Sequence, residues 1–207
     1  ATLGTKVIIG DSISFNDRRY IVSHDLFNSK FEMLVYHKPF GEIVTLKDNA
    51  NRKTVFESLP SVSGKWINIG RLDLDTSGLL LFTNNGDIAN KMMHPSSNIS
   101  RTYEVLLKGS FTDIKKNKCL NGLDIGMSET GKFDSVEKCN TTANKYIITL
   151  KTGKNREVRR VFLTVNCTVI NLKRIQYDNI KLDNLIVGEH RYLNEEEIKS
   201  LSMYLEK

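Results

Sequence analysis

Cysteine is scarce in this chain. Only Cys119, Cys139 and Cys167 occur among 207 residues. They are too few and too scattered for a disulfide framework or a structural zinc site, so reduced thiols of a cytoplasmic protein are expected. Three prolines leave little material for rigid linkers. No window holds the ~18 apolar residues of a membrane helix. The start, Ala1 to Lys6, has no charged-then-apolar order of a signal peptide. His24, His37, His94 and His190 are dispersed, without metal-ligand spacing. No glycine-rich phosphate loop and no Gly-x-Ser-x-Gly elbow occurs. Redox, metal-hydrolase and nucleotide-binding chemistries therefore have no motif to rest on, and no membrane partner is expected.

Against these absences stands a basic surplus. There are 30 Lys and Arg against 24 Asp and Glu, a formal net charge of +6. Such a balance points weakly to a polyanionic partner, nucleic acid being the usual one. With 40% hydrophobic residues the chain can bury a sizeable core. Lys6 to Val22 reads as short strands around Gly-Asp and Asn-Asp turns, too short to hold a core alone. A boundary is expected near Asn28-Ser29, dividing residues 1–28 from a main domain of residues 29–207. Beyond it, Met33–Tyr36, Trp66–Ile69, Leu79–Phe82, Thr102–Lys108, Tyr146–Leu150 and Val169–Tyr177 read as strands. Residues 53–59 suit a helical turn or two. Helices are expected over Asp87–Met93, stopped by His94-Pro95, over a segment capped by Ser110, over Asn155–Val165, and after Asn194. The beat is not the regular one of a doubly wound sheet. The fold class predicted is α+β, a mixed and mostly antiparallel sheet with flanking helices and a central cleft.

Three stretches stand out. In Gly70-Arg71-Leu72-Asp73-Leu74-Asp75-Thr76-Ser77-Gly78-Leu79-Leu80-Leu81, acidic and apolar residues alternate until a turn breaks the strand. A carboxylate there lies either at the rim of a cleft or in a turn, capping its own backbone. In Thr152-Gly153-Lys154-Asn155-Arg156-Glu157-Val158-Arg159-Arg160-Val161-Phe162, Val158, Val161, Phe162 and Val165 form one helical stripe. Arg156 and Arg160 then fall on the far, solvent-facing side and Arg159 at the stripe's margin, free to lean into a pocket and pair with a carboxylate. The third stretch, Arg101-Thr102-Tyr103-Glu104-Val105, is a strand with one aromatic, either filler or a base-stacking platform.

Together, in this order, these stretches resemble the signature of the pseudouridine synthases that modify ribosomal RNA, in the branch that includes the small-subunit enzyme RsuA. Lys38-Pro39-x-Gly41 adds a further match, and the likeness runs from about Met33 to Leu201. Thr54-Val55-Phe56-x-Ser58-Leu59-Pro60 and Met93-His94-Pro95-Ser96 look most like the members that act on the large subunit. Lys6–Val22 is similar to the C-terminal β part of an S4-type RNA-binding module, whose N-terminal helices are expected to be missing. Lys154 stands where the family has arginine.

The resemblance implies isomerisation of one uridine in ribosomal RNA, most like the 23S large-subunit RNA, to pseudouridine. It implies no metal and no organic or nucleotide cofactor. Asp73 would be the catalytic carboxylate, adding to the sugar or abstracting a sugar proton. Arg159 would be its cationic partner, and Tyr103 the platform under the uracil. Arg71, Arg101, Lys154, Arg156 and Arg160 would meet RNA, mostly at phosphates. Lys38, Pro39, Asp75 and Thr76 would support the loop. The partner would be ribosomal RNA and the protein a cytoplasmic monomer. Alternatives are the same chemistry on 16S small-subunit RNA, separated by mapping pseudouridines with and without the gene, and an idle RNA-binding assembly factor, separated by tritium release from 5-tritiated uridine. A sugar glycosidase would need a second acid facing Asp73, and no residue in the sequence supplies one.

Overall fold

The structure, a computed structural model, describes residues 5–23, 30–140, 142–201 and 204. Near the start, Asn16 and Asp17 take φ of 49° and 59°. Two successive left-handed residues match the twist of a tight hairpin, here joining β1 (Ser12–Phe15) to β2 (Arg18–Ile21). The expected boundary at Asn28-Ser29 lies outside the described residues.

The main sheet is built from β3 (Met33–Lys38), β4 (Ile67–Ile69), β5 (Ser77–Thr83) and β6 (Arg101–Lys108). A small separate ribbon follows, β7 (Leu123–Asp124) with β8 (Thr130–Gly131). The sheet then gains β9 (Ser135–Lys138), β10 (Lys145–Leu150), β11 (Thr168–Tyr177), β12 (Ile180–Lys181) and β13 (His190–Tyr192). Its nine strands run β13-β3-β5-β11-β6-β10-β9, with β4 beside β5 and β12 beside β11. All described pairings in it are antiparallel except β5 with β11. The fold is α+β with a mixed, mostly antiparallel sheet, as the sequence predicts.

β3 and β5 are buried on both faces, which is why they read as unbroken apolar runs. Leu34, Tyr36, Leu80 and Phe82 enter one core, and Met33, Val35, Leu79 and Leu81 the other. In β6 and β10 only alternate residues are buried, Tyr103, Val105 and Leu107 in the one and Tyr146, Ile148 and Leu150 in the other. The parallel seam between β5 and β11 is tight. A Cβ on Gly78 would run into the backbone of Arg174, so this position takes glycine, and its φ of +107° agrees.

Helix α1 (Gly86–Met93) is capped by Asn85, whose side chain accepts from the amides of Asp87 and Ile88, and it stops before Pro95. Helix α2 (Asp113–Asn121) is capped by Thr112, not by Ser110. The Ser110 carbonyl instead accepts from Lys115 Nζ at 2.6 Å. Helix α3 (Glu157–Thr164) buries Val158, Val161 and Phe162, as the stripe predicts. It begins two residues later than expected, because Arg156 takes a left-handed φ of 48°. Helix α4 (Glu195–Ser200) opens on a capping box between Asn194 and Glu197. No described helix is long and apolar enough to cross a membrane.

Candidate active site

Gly70 to Thr76 forms the loop that enters β5, and it borders a cleft of about 680 Å³. The segment 150–159, Tyr103 and Arg174 line it as well. That volume suits a nucleotide-sized ligand.

The loop is held from below. Lys38, at the end of β3, is fully buried and donates through Nζ to the carbonyls of Thr76 and Pro39, both at 2.9 Å. The Gly41 amide donates to the Leu74 carbonyl at 3.0 Å. The Thr76 amide closes a turn onto the Asp73 carbonyl at 3.0 Å. Burial pushes the Lys38 ammonium down to about 8, opposed by the charges of Glu42, Asp73 and Asp75. Glu42 is itself buried, accepting from the Tyr36 hydroxyl at 2.6 Å and paired with Lys53 at 2.7 Å. Burial, and then the Glu42 hydrogen bond, raises the Tyr36 phenol well above its usual range.

The two acids of the loop differ. The Asp73 carboxylate is 38% exposed, and its ion pair is a loose one with Arg156, Nη1 to Oδ2 3.8 Å. Asp75 receives Arg156 through two bonds, Nη1 to Oδ1 3.1 Å and Nη2 to Oδ2 3.0 Å. Arg159 adds an ion pair to the same carboxylate, Nε to Oδ2 3.3 Å, and donates to the Asp75 carbonyl at 2.5 Å. Its other donor reaches the Val169 carbonyl at 3.1 Å. The Arg156 hydrogen bonds hold the Asp75 carboxyl below the usual carboxylate range. Burial, in turn, lowers Arg159.

Two expectations about the arginines need correction. Arg159 leans into the cleft, but its ion pair is with Asp75, and the cation near Asp73 is Arg156. The left-handed turn at Arg156 takes that residue off the helix and over the loop. Arg160 does not face solvent. It is paired with Glu129 and directed at the carbonyls of Ile125 and Gly126, because the β7–β8 ribbon packs on that side of α3. Lys154 and Arg101 also have protein acceptors. Lys154 Nζ donates to the Thr130 carbonyl. Arg101 donates to the carbonyls of Ile99 and Lys151, at 3.0 and 2.6 Å. Arg71 is exposed, and among the described residues it has no hydrogen bond or ion pair. Tyr103, 9% exposed, lies on β6 and lines the cleft. The structure thus gathers Asp73, Tyr103, Arg71, Arg101, Lys154, Arg156 and Arg159 around one cleft, and Arg160 lies beside it.

Two residues at the cleft were missed in the sequence. Glu157 is buried and accepts from the Thr152 hydroxyl at 2.6 Å and the Lys154 amide at 2.9 Å, fixing the 152–156 turn. Arg174 is 2% exposed and shares its inward face with Leu172 and Tyr103. A lone arginine at an inward position of a strand was the available signal.

Residues 32–164 match the model of the RNA pseudouridylate synthase family. Proteins named ribosomal large subunit pseudouridine synthase B are similar. The one from Xylella fastidiosa is 38% identical over 213 residues, covering 99% of this chain and 44% of its own length. The one from Vibrio vulnificus is 43% identical over 156 residues, covering 73% and 48%. The one from Buchnera aphidicola is 37% identical, covering 96% and 84%. The chain spans about half the length of the first two of these curated relatives. A pseudouridylate synthase crystal structure superposes with a TM-score of 0.76 over 97% of this chain and 84% of that one, at 24% identity, so it shares the fold. The family match takes in the Asp73 loop, Tyr103 and the whole of α3, and the cleft these segments line is therefore that of a member of the RNA pseudouridylate synthase family.

Proposed function

We propose that this chain converts a uridine of large-subunit ribosomal RNA to pseudouridine, acting as a cytoplasmic monomer. The observation that carries the reading is the placement of Asp73. It is a partly exposed carboxylate whose ion pair, with Arg156, is a loose one, in the lining of a cleft that Tyr103 also lines. An acid that must touch substrate needs access, and an acid locked in a salt bridge would not have it. The names of the similar proteins support the RNA class.

A uridine within folded RNA leaves its stack to enter the cleft, at a cost of a few kcal/mol. Its base lies on Tyr103. Asp73 adds to the sugar or removes a sugar proton, and the C1′–N1 bond breaks with its electron pair on the base. The base turns and C5 bonds to C1′, displacing Asp73 from the sugar or, on the proton-abstraction route, with Asp73 returning its proton to the sugar; the C5 proton then leaves and N1 gains one. Arg71, the exposed arginine of the loop, meets a phosphate of the RNA. Lys38, Asp75 and Thr76 hold the loop in place, and Arg159 acts through Asp75.

The test is site-resolved detection of pseudouridine in ribosomal RNA after incubation with the purified chain. New pseudouridine at one large-subunit position is expected. Modification only of small-subunit RNA would shift the target, and no modification of either would refute the reading.

A further inference from the structure

Arg174 is a buried charge at the cleft with little compensation. It is 2% exposed, and no carboxylate lies within ion-pair distance of it among the described residues. Nε donates to the Leu79 carbonyl at 2.7 Å. The guanidinium lies over the Tyr177 ring at 5.2 Å, and Arg101 occupies the same ring at 5.1 Å. One aromatic quadrupole shared between two cations neutralises neither well. Nη2 is buried with no acceptor. A buried donor left without a partner costs about 1–3 kcal/mol, more for a charged group. Groups of this kind persist where function requires them.

The surroundings say what would complete it. Arg174 lines the same cleft as Asp73. It stands directly opposite Tyr103 in the β11–β6 pairing, so their side chains leave the sheet on one face about 5 Å apart. A planar base resting on Tyr103 brings an edge to Arg174. A guanidinium offers donors and no acceptor, so it takes a carbonyl oxygen of that base.

We propose that Arg174 is a catalytic residue that donates to a uracil carbonyl oxygen and stabilises the base as it departs. The inference rests on the function proposed above. When C1′–N1 breaks, the electron pair remains on N1 and is delocalised over the carbonyl oxygens. The neutral base becomes an anion beside a cation held in a site with little water. The charge returns to zero when C5 bonds to C1′, the C5 proton leaves and N1 is protonated. The interaction is stronger in the transition state than with bound uridine, so it acts on kcat more than on KM.

The test uses the full chain and a ribosomal RNA transcript that it modifies. Arg174→Gln keeps a donor and removes the charge. Its single-turnover rate should fall about 10²–10³-fold, with KM and RNA affinity near wild type. Arg174→Lys should stay within about ten-fold of wild type, because the charge is retained. Transcripts carrying 5-fluorouridine give the decisive reading. Fluorine acidifies the base, so its anion needs less help. The deficit of Arg174→Gln in glycosidic bond cleavage should shrink at least ten-fold on that substrate. An equal deficit on both substrates means a structural role and overturns the proposal. A raised KM with unchanged kcat means contact with a phosphate, and it overturns the proposal as well. If circular dichroism shows Arg174→Gln unfolded, folded Arg174→Lys decides. A loss beyond a hundred-fold, equal on both substrates, overturns the proposal, and near-normal turnover supports it. A wild-type chain that modifies no uridine would refute the function itself, and this inference with it.

Discussion

Arg71 to Asp73 and Leu74 to Ser77 are consecutive in the chain and opposite in their surroundings. The first stretch is open. Arg71 is exposed, and the Asp73 carboxylate meets one guanidinium at 3.8 Å. The second is held by more bonds, although Leu74 and the Asp75 carboxylate are themselves exposed. Asp75 takes two arginines, the Leu74 and Thr76 carbonyls are both occupied, and Thr76 and Ser77 are buried. The contrast separates two uses of a carboxylate. Asp75 is bound by two arginines, and Asp73, two residues earlier, keeps only the loose pair with Arg156. The basic helix end serves both, because Arg156 reaches each acid.

The comparison is broken most severely at its open end. Asp73→Asn should reduce pseudouridine formation by more than about a thousand-fold, while thermal unfolding stays within about 0.5 kcal/mol of wild type. Turnover surviving in that variant would remove Asp73 from the chemistry.

At the anchored end the balance reverses. Asp75→Asn should lower activity about ten-fold through a loosened loop and cost about 1 kcal/mol, a modest figure because the pair is half exposed. The pH dependence sharpens this. The Asp75 carboxyl sits below its ordinary value of 3.8 in the folded chain. Its contribution is therefore complete above that value and is lost as the pH falls through the lower, folded one. Acid unfolding of Asp75→Asn should lack that part of the decline, and identical acid limbs would contradict the anchoring role.

Lys38 carries a smaller signature of the same sign, in the alkaline range. Its ammonium is pushed down to about 8 from an ordinary 10.5. Between those values the unfolded chain binds more protons, so this group makes stability rise with pH there. Denaturation of wild type and Lys38→Met across that window should differ in slope, with the methionine variant flatter. The smallest effect belongs to Arg71→Ala. It should weaken RNA binding and reduce the salt slope by about one, with an intact maximal rate. An unchanged slope would mean that Arg71 meets no phosphate.

Much of this was legible in sequence because it is local. The apolar runs at Met33–Tyr36 and Leu79–Phe82, the helix stop at His94-Pro95, the Asn194 helix start, and the α3 stripe each express a short-range rule. The Asp-centred loop was legible through its motif and through the strand break at Thr76. The arginines were harder. Their positions on a helical wheel were right for Arg159 and Arg160, yet the wheel says nothing of what packs outside it. The ribbon that covers Arg160 consists of two-residue strands with no periodic signal. Arg156 escaped because a single left-handed residue, not a helical one, directs it. Arg174 was hidden by two bulges in β11, after Val169 and after Arg174, which shift the inside-outside alternation along the strand.

The seam at Gly78 has a consequence for how activity arises during folding. Asp73 hangs from one side of the sheet, and Tyr103 and Arg174 from the other. The two sides meet through a parallel contact between residues almost a hundred positions apart. Contacts of such long range form late, since the intervening chain must first be gathered. Catalytic competence should therefore lag behind the recovery of helical signal on refolding. A nascent chain that has not yet supplied β11 has no complete cleft to offer an RNA.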